Sequence, residues 1–156
     1  VKLLNLLSLS AFKMAEGQSI DLSIVSREVD IELLNIMHKK KTGSLLNCSV
    51  MLGAILNPNI SKKDLSILES FSSYIGLAYQ VQDDVLDVTT SSEVLGKRQN
   101  SDSVKSKPSY PSILGLDESV KKYGTLYQEA LDEISQLSVN EKPLRDLTIK
   151  LMKRSF

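Results

Sequence analysis

Apolar residues recur at three- and four-residue spacing along almost the whole chain, and no stretch alternates apolar with polar as a half-buried strand does. That periodicity restricts the chain to an all-α class. A first helix is expected over roughly Val1 to Glu16, with Gly17 interrupting or ending it. Ser19 to Asp30 is polar. A second long segment runs from about Val29 to Leu56, and Asn57-Pro58-Asn59 stops it. Ser61 reads as the N-cap of a third helix, with Asp64 in its first turn, extending to Val88. Thr89 to Glu93 reads as a turn. Leu95 to Pro111 reads as a polar loop holding Lys97, Arg98, Lys105 and Lys107. Two amphipathic segments close the chain, Asp117 to Leu137 and Pro143 to Lys153, with Asp117 and Asn140 as caps.

Charge and cysteine content narrow the function classes. The 156 residues include 19 basic and 19 acidic side chains, so the net charge is zero. Nothing in that balance asks for nucleic acid or a membrane surface. No apolar run reaches the roughly 18 residues of a membrane-spanning helix. The single cysteine, Cys48, has no internal disulfide partner, which is compatible with a cytoplasmic location. Leu3 to Phe12 is apolar-rich, but Asn5, Ser8 and Ser10 interrupt it, so a signal peptide is not expected. The chain opens on Val1, already inside a helical pattern and with no capping residue ahead of it. A fragment of a longer protein is therefore expected.

The chemistry concentrates in Tyr79-Gln80-Val81-Gln82-Asp83-Asp84-Val85-Leu86-Asp87. On a helix, Gln80, Asp83, Asp84 and Asp87 share one polar stripe, while Leu77, Ala78, Val81, Val85 and Val88 form an apolar one. Three carboxylates within two turns repel one another, and burial raises that cost. A hard dication relieves it: Mg²⁺ takes carboxylate oxygens, keeps waters and shares phosphate oxygens with a substrate. The bare pattern leaves two readings open, a metal clamp and a solvated acidic face. An EF-hand is excluded because its ligand alternation and central glycine are absent. Cations in the following loop, folded back over the stripe, would neutralise a metal-bound diphosphate. Lys39-Lys40-Lys41-Thr42-Gly43 is a second basic point. It is not a P-loop, since no strand and no Walker glycine precede it, and Thr42-Gly43 predicts a local helix break. His38, the only histidine, reads as a surface residue without a role.

These segments together resemble the trans-prenyl diphosphate synthase family, and most of all its short-chain bacterial farnesyl and geranyl diphosphate synthases. Gly76 to Asp87 is similar to that family's second aspartate-rich motif. Leu95-Gly96-Lys97-Arg98-Gln99 is similar to its basic loop, and Lys107-Pro108-Ser109-Tyr110-Pro111 to its lysine-threonine-tyrosine-proline segment. Lys41-Thr42-Gly43 resembles the break of its kinked helix, and Glu16-Gly17-Gln18, with Asp21 following, its glycine-glutamine motif. Five motifs stand in the family's order. Tyr79 replaces the usual phenylalanine, Pro108-Ser109 the residue-threonine pair, and Asn100-Ser101 stands where a glycine is common.

The resemblance implies a bundle of long antiparallel helices, of which this chain would be the C-terminal portion. It implies that Asp83, Asp84 and Asp87 hold Mg²⁺, or Mn²⁺, on an allylic diphosphate, with Asp83 the expected direct ligand. Lys41 and Lys97 would contact that diphosphate and act in catalysis. Thr42 and Gln80 would line the cavity by the allylic carbon, with Gln18 in the elongation cavity. The reaction would join isopentenyl diphosphate to the allylic cation, in a homodimer. The family's first aspartate-rich motif and its N-terminal basic motif occur nowhere in the chain, so an N-terminal half is an expected partner and this chain alone is expected to be inactive. Two other readings stay open, a non-catalytic helical partner of an active synthase and a related terpenoid enzyme that ionises without elongation.

Overall fold

The computed structural model describes residues 1–94 and 107–154; those two stretches contain helices and connections and no strand. The elements are α1 (Lys2–Ser23), α2 (Ile31–His38), a π-helical turn (Lys39–Gly43), α3 (Ser44–Ile55), α4 (Lys62–Val94), α5 (Tyr110–Leu114), α6 (Leu116–Ile134) and α7 (Lys142–Met152). The all-α expectation holds.

α4 organises the rest. Its 33 residues span about 50 Å at the α-helical rise. Its first turn is capped as expected, with the Ser61 hydroxyl accepting from the Asp64 N–H at 2.9 Å. The Asp64 carboxylate in turn accepts from the Ser138 N–H and hydroxyl, tying the α6–α7 connection to the start of α4. On the apolar face, Phe71, Ile75, Ala78 and Val81 are buried against Tyr127, Ala130 and Ile134 of α6 and Leu34 and Met37 of α2. Burying each large side chain contributes roughly 1.5–3 kcal/mol. The expected apolar stripe therefore exists, but Leu77 is half-buried and Val88 is exposed.

Several boundaries differ from expectation for local reasons. α4 continues to Val94 instead of stopping at Val88. The Thr89 hydroxyl donates back to the carbonyls of Val85 and Leu86, so its polar group is satisfied within the helix. α1 continues through Gly17 to Ser23. A glycine in a helix costs about 1 kcal/mol relative to alanine, but here it lets another backbone approach. A Cβ at Gly17 would lie 2.2 Å from the Lys41 nitrogen and 2.6 Å from its Cα. The second segment is one helical run from Ile31 to Ile55, started by Asp30, whose carboxylate accepts from the Leu33 N–H at 2.8 Å. The expected break at Thr42-Gly43 is the π-helical turn, an insertion that re-aims the side chains on it. α6 ends at Ile134 and begins after Gly115, which takes a positive φ of 85°, so Asp117 lies in the first turn and is not the cap. Asn140 accepts from the Lys142 N–H at 3.1 Å, but it precedes Glu141, the residue at the N-cap of α7. The loop expected to run to Pro111 contains α5 instead: the hydroxyls and N–H groups of Ser109 and Ser112 form a reciprocal capping box at its start.

Gly17→Ala is expected to force α1 off the π-helical turn and to destabilise the fold by about 1–3 kcal/mol, read as a lowered thermal midpoint. Gly76→Ala, whose Cβ would meet the Gly43 Cα at 3.3 Å, is expected to cost less in the same measurement.

Candidate functional site

The polar stripe of α4 forms one wall of a cavity of about 520 Å³ lined by Asp21, His38, Lys41, Gln80, Asp83, Asp84, Asp87, Val88, Lys107, Pro108 and Ser109. Five of the residues expected from the sequence, Lys41, Gln80, Asp83, Asp84 and Asp87, thus meet around one space. Thr42 joins them through its hydroxyl, which donates to Gln80 Oε1 at 2.9 Å. Gln80 Nε2 reaches on to Asp84 Oδ1 at 3.4 Å. Gln18 does not line this cavity; it sits half-buried on α1, one turn before Asp21. Lys97, with Arg98 and Lys105, lies outside the described residues.

The cationic side is organised by Asp21, which is 5% exposed. Lys41 Nζ lies 2.5 Å from Asp21 Oδ2, and Lys107 Nζ lies 2.9 Å from Oδ1. Burial pushes the Asp21 carboxyl upward, but the hydrogen bonds and charges of Lys41 and Lys107 outweigh it and hold it below the ordinary carboxylate value. The two ammonium groups come from the π-helical turn and from the segment before α5, and one buried carboxylate holds both. Lys107 thus lines the same cavity as the α4 acids, with Asp21 of α1 as its ion-pair partner.

The acidic side is under charge stress. Burial raises Asp84 to about 6, against hydrogen bonds from the Tyr110 N–H and Gln80; the neighbouring charges of Asp83 and Asp87 push the same way as burial. The Tyr110 N–H donates to Asp84 Oδ2 at 3.0 Å, and the Tyr110 hydroxyl donates to Asn35 at 2.5 Å. Asp83 accepts from Arg154 Nη2 at 3.0 Å. Among the described residues, no three Asp, Glu, His or Cys side chains converge as a finished metal cage. The donors still fit Mg²⁺ as a one-sided site, because hard carboxylate oxygens face a cavity where a dication would offset the burial, and the lesser repulsion from Asp83 and Asp87, that raise Asp84.

Three contributors were not legible as site residues. His38 is 6% exposed and stacks on the Tyr110 ring with centroids 5.5 Å apart, which corrects its reading as a surface residue. Burial pushes its pKa down to about 4, with Asp21 opposing and Lys107 and Lys41 assisting. Its Nε2 lies 3.7 Å from Asp84 Oδ2 as a neutral dipole. His38 stands one turn before Lys41 in the same helical run, a spacing that could have drawn attention to it. Tyr110 was visible only within a motif. Arg154 gave no local signal, since its contact with Asp83 spans 71 positions.

The family model for polyprenyl synthetases matches residues 1–143. The chain belongs to the polyprenyl synthetase family. It is 38% identical over 125 residues to the farnesyl diphosphate synthase of Escherichia coli, covering 80% of this chain and 42% of that one. It is 38% identical over 138 residues to the geranylgeranyl diphosphate synthase of Cyanophora paradoxa, covering 88% and 46%. A crystal structure of geranyltransferase from Helicobacter pylori, complexed with magnesium and isoprenyl diphosphate, superposes at a TM-score of 0.78 with 28% identity, covering 97% of this chain and 50% of that one. The chain thus spans about half the length of the relatives it matches. Within this polyprenyl synthetase chain, two departures from the expected motifs have structural uses. The Tyr79 ring carries the Arg154 guanidinium at 4.0 Å from its centroid, and Ser109 caps α5.

Asp21 and Asp84 are expected to respond to pH with opposite signs. Asp21 is held below its unfolded value, so its ionised form stabilises the fold above about pH 4 and that stability is lost as pH falls through the lowered value. Asp21→Asn is expected to lower the thermal midpoint at pH 7, with the difference closing in acid. Asp84 is raised to about 6, so the wild-type carboxyl is tolerated below its unfolded value and penalised as pH rises through 6. Asp84→Asn, which keeps an acceptor for the Tyr110 N–H, is expected to raise the metal-free midpoint at pH 8 by up to about 3 kcal/mol of stability, at 1.36 kcal/mol per pKa unit. That gain is expected to vanish near pH 4 in melts recorded across pH.

Proposed function

We propose that this chain supplies the diphosphate-ionising wall of a short-chain prenyl transferase, which condenses an allylic diphosphate with isopentenyl diphosphate. The observation that carries the reading is the single cavity in which the Asp83, Asp84 and Asp87 carboxylates face the Lys41 and Lys107 ammonium groups. An anionic ligand bridged to hard metal ions needs both halves of that arrangement. Family membership and the likeness to a geranyltransferase complexed with magnesium and isoprenyl diphosphate support it.

On this reading Asp83, Asp84 and Asp87 would hold Mg²⁺, or Mn²⁺, which would draw charge from the diphosphate oxygens as the allylic C–O bond ionises. Lys41 and Lys107 donate to the departing diphosphate, and Lys97 is proposed to join them. Asp21 keeps the two described ammonium groups in place. Gln80, fixed by Thr42, presents its amide beside the carboxylates where the reacting carbon would lie. Tyr110, through its backbone N–H, keeps Asp84 turned to the cavity. The double bond of isopentenyl diphosphate attacks the allylic cation, and a proton is lost to leave a product five carbons longer. No protein nucleophile takes part. Chain outside these 156 residues would carry the facing aspartate-rich wall and the isopentenyl diphosphate site. Homodimerisation belongs to the same proposal and is read by light scattering.

The full-length protein, given Mg²⁺, isopentenyl diphosphate and dimethylallyl or geranyl diphosphate, is expected to yield longer prenyl diphosphates detectable by mass spectrometry. No elongated product from either allylic substrate would sink the proposal. Asp83→Ala is expected to lower turnover at least about a hundredfold, the scale seen when one charge-stabilising contact is removed. Its loss of stability should stay within about 1 kcal/mol, because the ion pair it breaks is partly exposed.

A further inference from the structure

Arg154 follows α7, yet its side chain reaches the first carboxylate of the acidic stripe. Nη2 donates to Asp83 Oδ1 at 3.0 Å, and Cζ stands 4.0 Å over the Tyr79 ring. The two partners lie 71 positions apart in the chain, so something must bring them together. Gln82 does so. It is 2% exposed and lies on α4 beside Asp83. Its Nε2 donates to the Met152 carbonyl at 3.2 Å and to the Arg154 carbonyl at 3.4 Å. Its Oε1 accepts from the Tyr127 hydroxyl at 2.8 Å. A buried amide thus caps the end of α7, where carbonyls lack helical partners, and aims the next side chain at Asp83.

The contact is well made but open to exchange. The Arg154 side chain is 18% exposed and that of Asp83 33% exposed. A guanidinium and a dication on the same carboxylate repel each other, so the binding of one weakens the hold of the other. We propose that Arg154 is a resident counter-ion of Asp83 which Mg²⁺ displaces, so that metal binding frees the segment after α7 from α4. The proposal rests on the reading of Asp83 as a metal ligand and adds a control on it. Linkage makes the effect reciprocal: the metal loosens Arg154 by the same factor by which Arg154 weakens the metal. Gln82 is the positioning residue, and Tyr79 is the platform that keeps the guanidinium near when it is off Asp83.

The test uses the full-length protein and Mg²⁺ alone, followed by calorimetry and by hydrogen–deuterium exchange over residues 142–154. Arg154→Met, which keeps apolar contact with Tyr79, is expected to bind Mg²⁺ about fivefold or more tightly than wild type; Arg154→Lys is expected to fall between them. Mg²⁺ is expected to speed exchange across 142–154 in wild type and to have no such effect in Asp83→Asn. Equal affinities in wild type and Arg154→Met would overturn the proposal alone, provided Asp83→Asn still weakens the metal. Tighter binding without faster exchange would mark plain repulsion and overturn it too. Mg²⁺ binding in the presence of inorganic diphosphate that Asp83→Asn leaves unchanged would overturn the metal reading of Asp83 itself.

Discussion

A missing side chain sets the geometry on which the site depends. At Gly17 the backbone of Lys40 and Lys41 occupies the space a Cβ would fill. α1 can therefore lie directly on the π-helical turn, and Asp21, one turn further along, meets the Lys41 ammonium. The turn is also pressed from the other side, where Gly43 faces Gly76 of α4. The extra residue in the turn rotates Thr42 toward Gln80, so the hydroxyl spans from one helix to the other. Two close backbone approaches thus hold the cationic and acidic walls at a fixed separation. Packed large side chains would allow more rotameric slack.

Charge then explains why that separation is tolerated. α4 buries its apolar face against α6, which leaves its acids at the edge of a low-dielectric region. Asp84 registers the cost in its raised pKa, and the Tyr110 N–H offsets part of it. Tyr110 is itself fixed by its hydroxyl on Asn35 and by its ring on His38. His38 remains neutral because a third cation beside Lys41 and Lys107 would meet burial and repulsion together.

The helical class, the acidic stripe and the break at Thr42-Gly43 were legible because each is a local pattern. Periodicity of 3.6 residues places Asp83, Asp84 and Asp87 together without tertiary information. The stop signals at Gly17 and Thr89 failed for a different reason: local propensity is a weak prior, and a close approach in one case and a back-bonding hydroxyl in the other outweigh it. The burial of His38 depends on Tyr110, 72 positions away, and no local pattern carries such a pairing. Lys107 could be read as a loop cation, but its partner Asp21 lies 86 positions away. Arg154 is the extreme case, since both its target and the Gln82 clamp that aims it are supplied by α4.

Two ion-paired carboxylates, Asp21 with Lys41 and Lys107 and Asp83 with Arg154, consequently have opposite roles on the proposed function. Asp21 is buried and cannot leave, while the Lys41 and Lys107 side chains are 31% and 52% exposed. A lysine ammonium has three donors. Each can keep its bond to Asp21 and still offer N–H groups to a diphosphate, so that pair orients its cations without quenching them. Asp83 meets a metal differently. Arg154 occupies one of its two oxygens, and the guanidinium brings a positive charge that competes with a dication. On the proposed function the Asp21 cluster can persist through ligand binding, whereas the Asp83–Arg154 pair would open. Where the ligand carries negative charge and the metal positive, that asymmetry favours their arriving together. On the proposed function, a diphosphate would supply the negative charge that lets Mg²⁺ and the surrounding cations share one cavity.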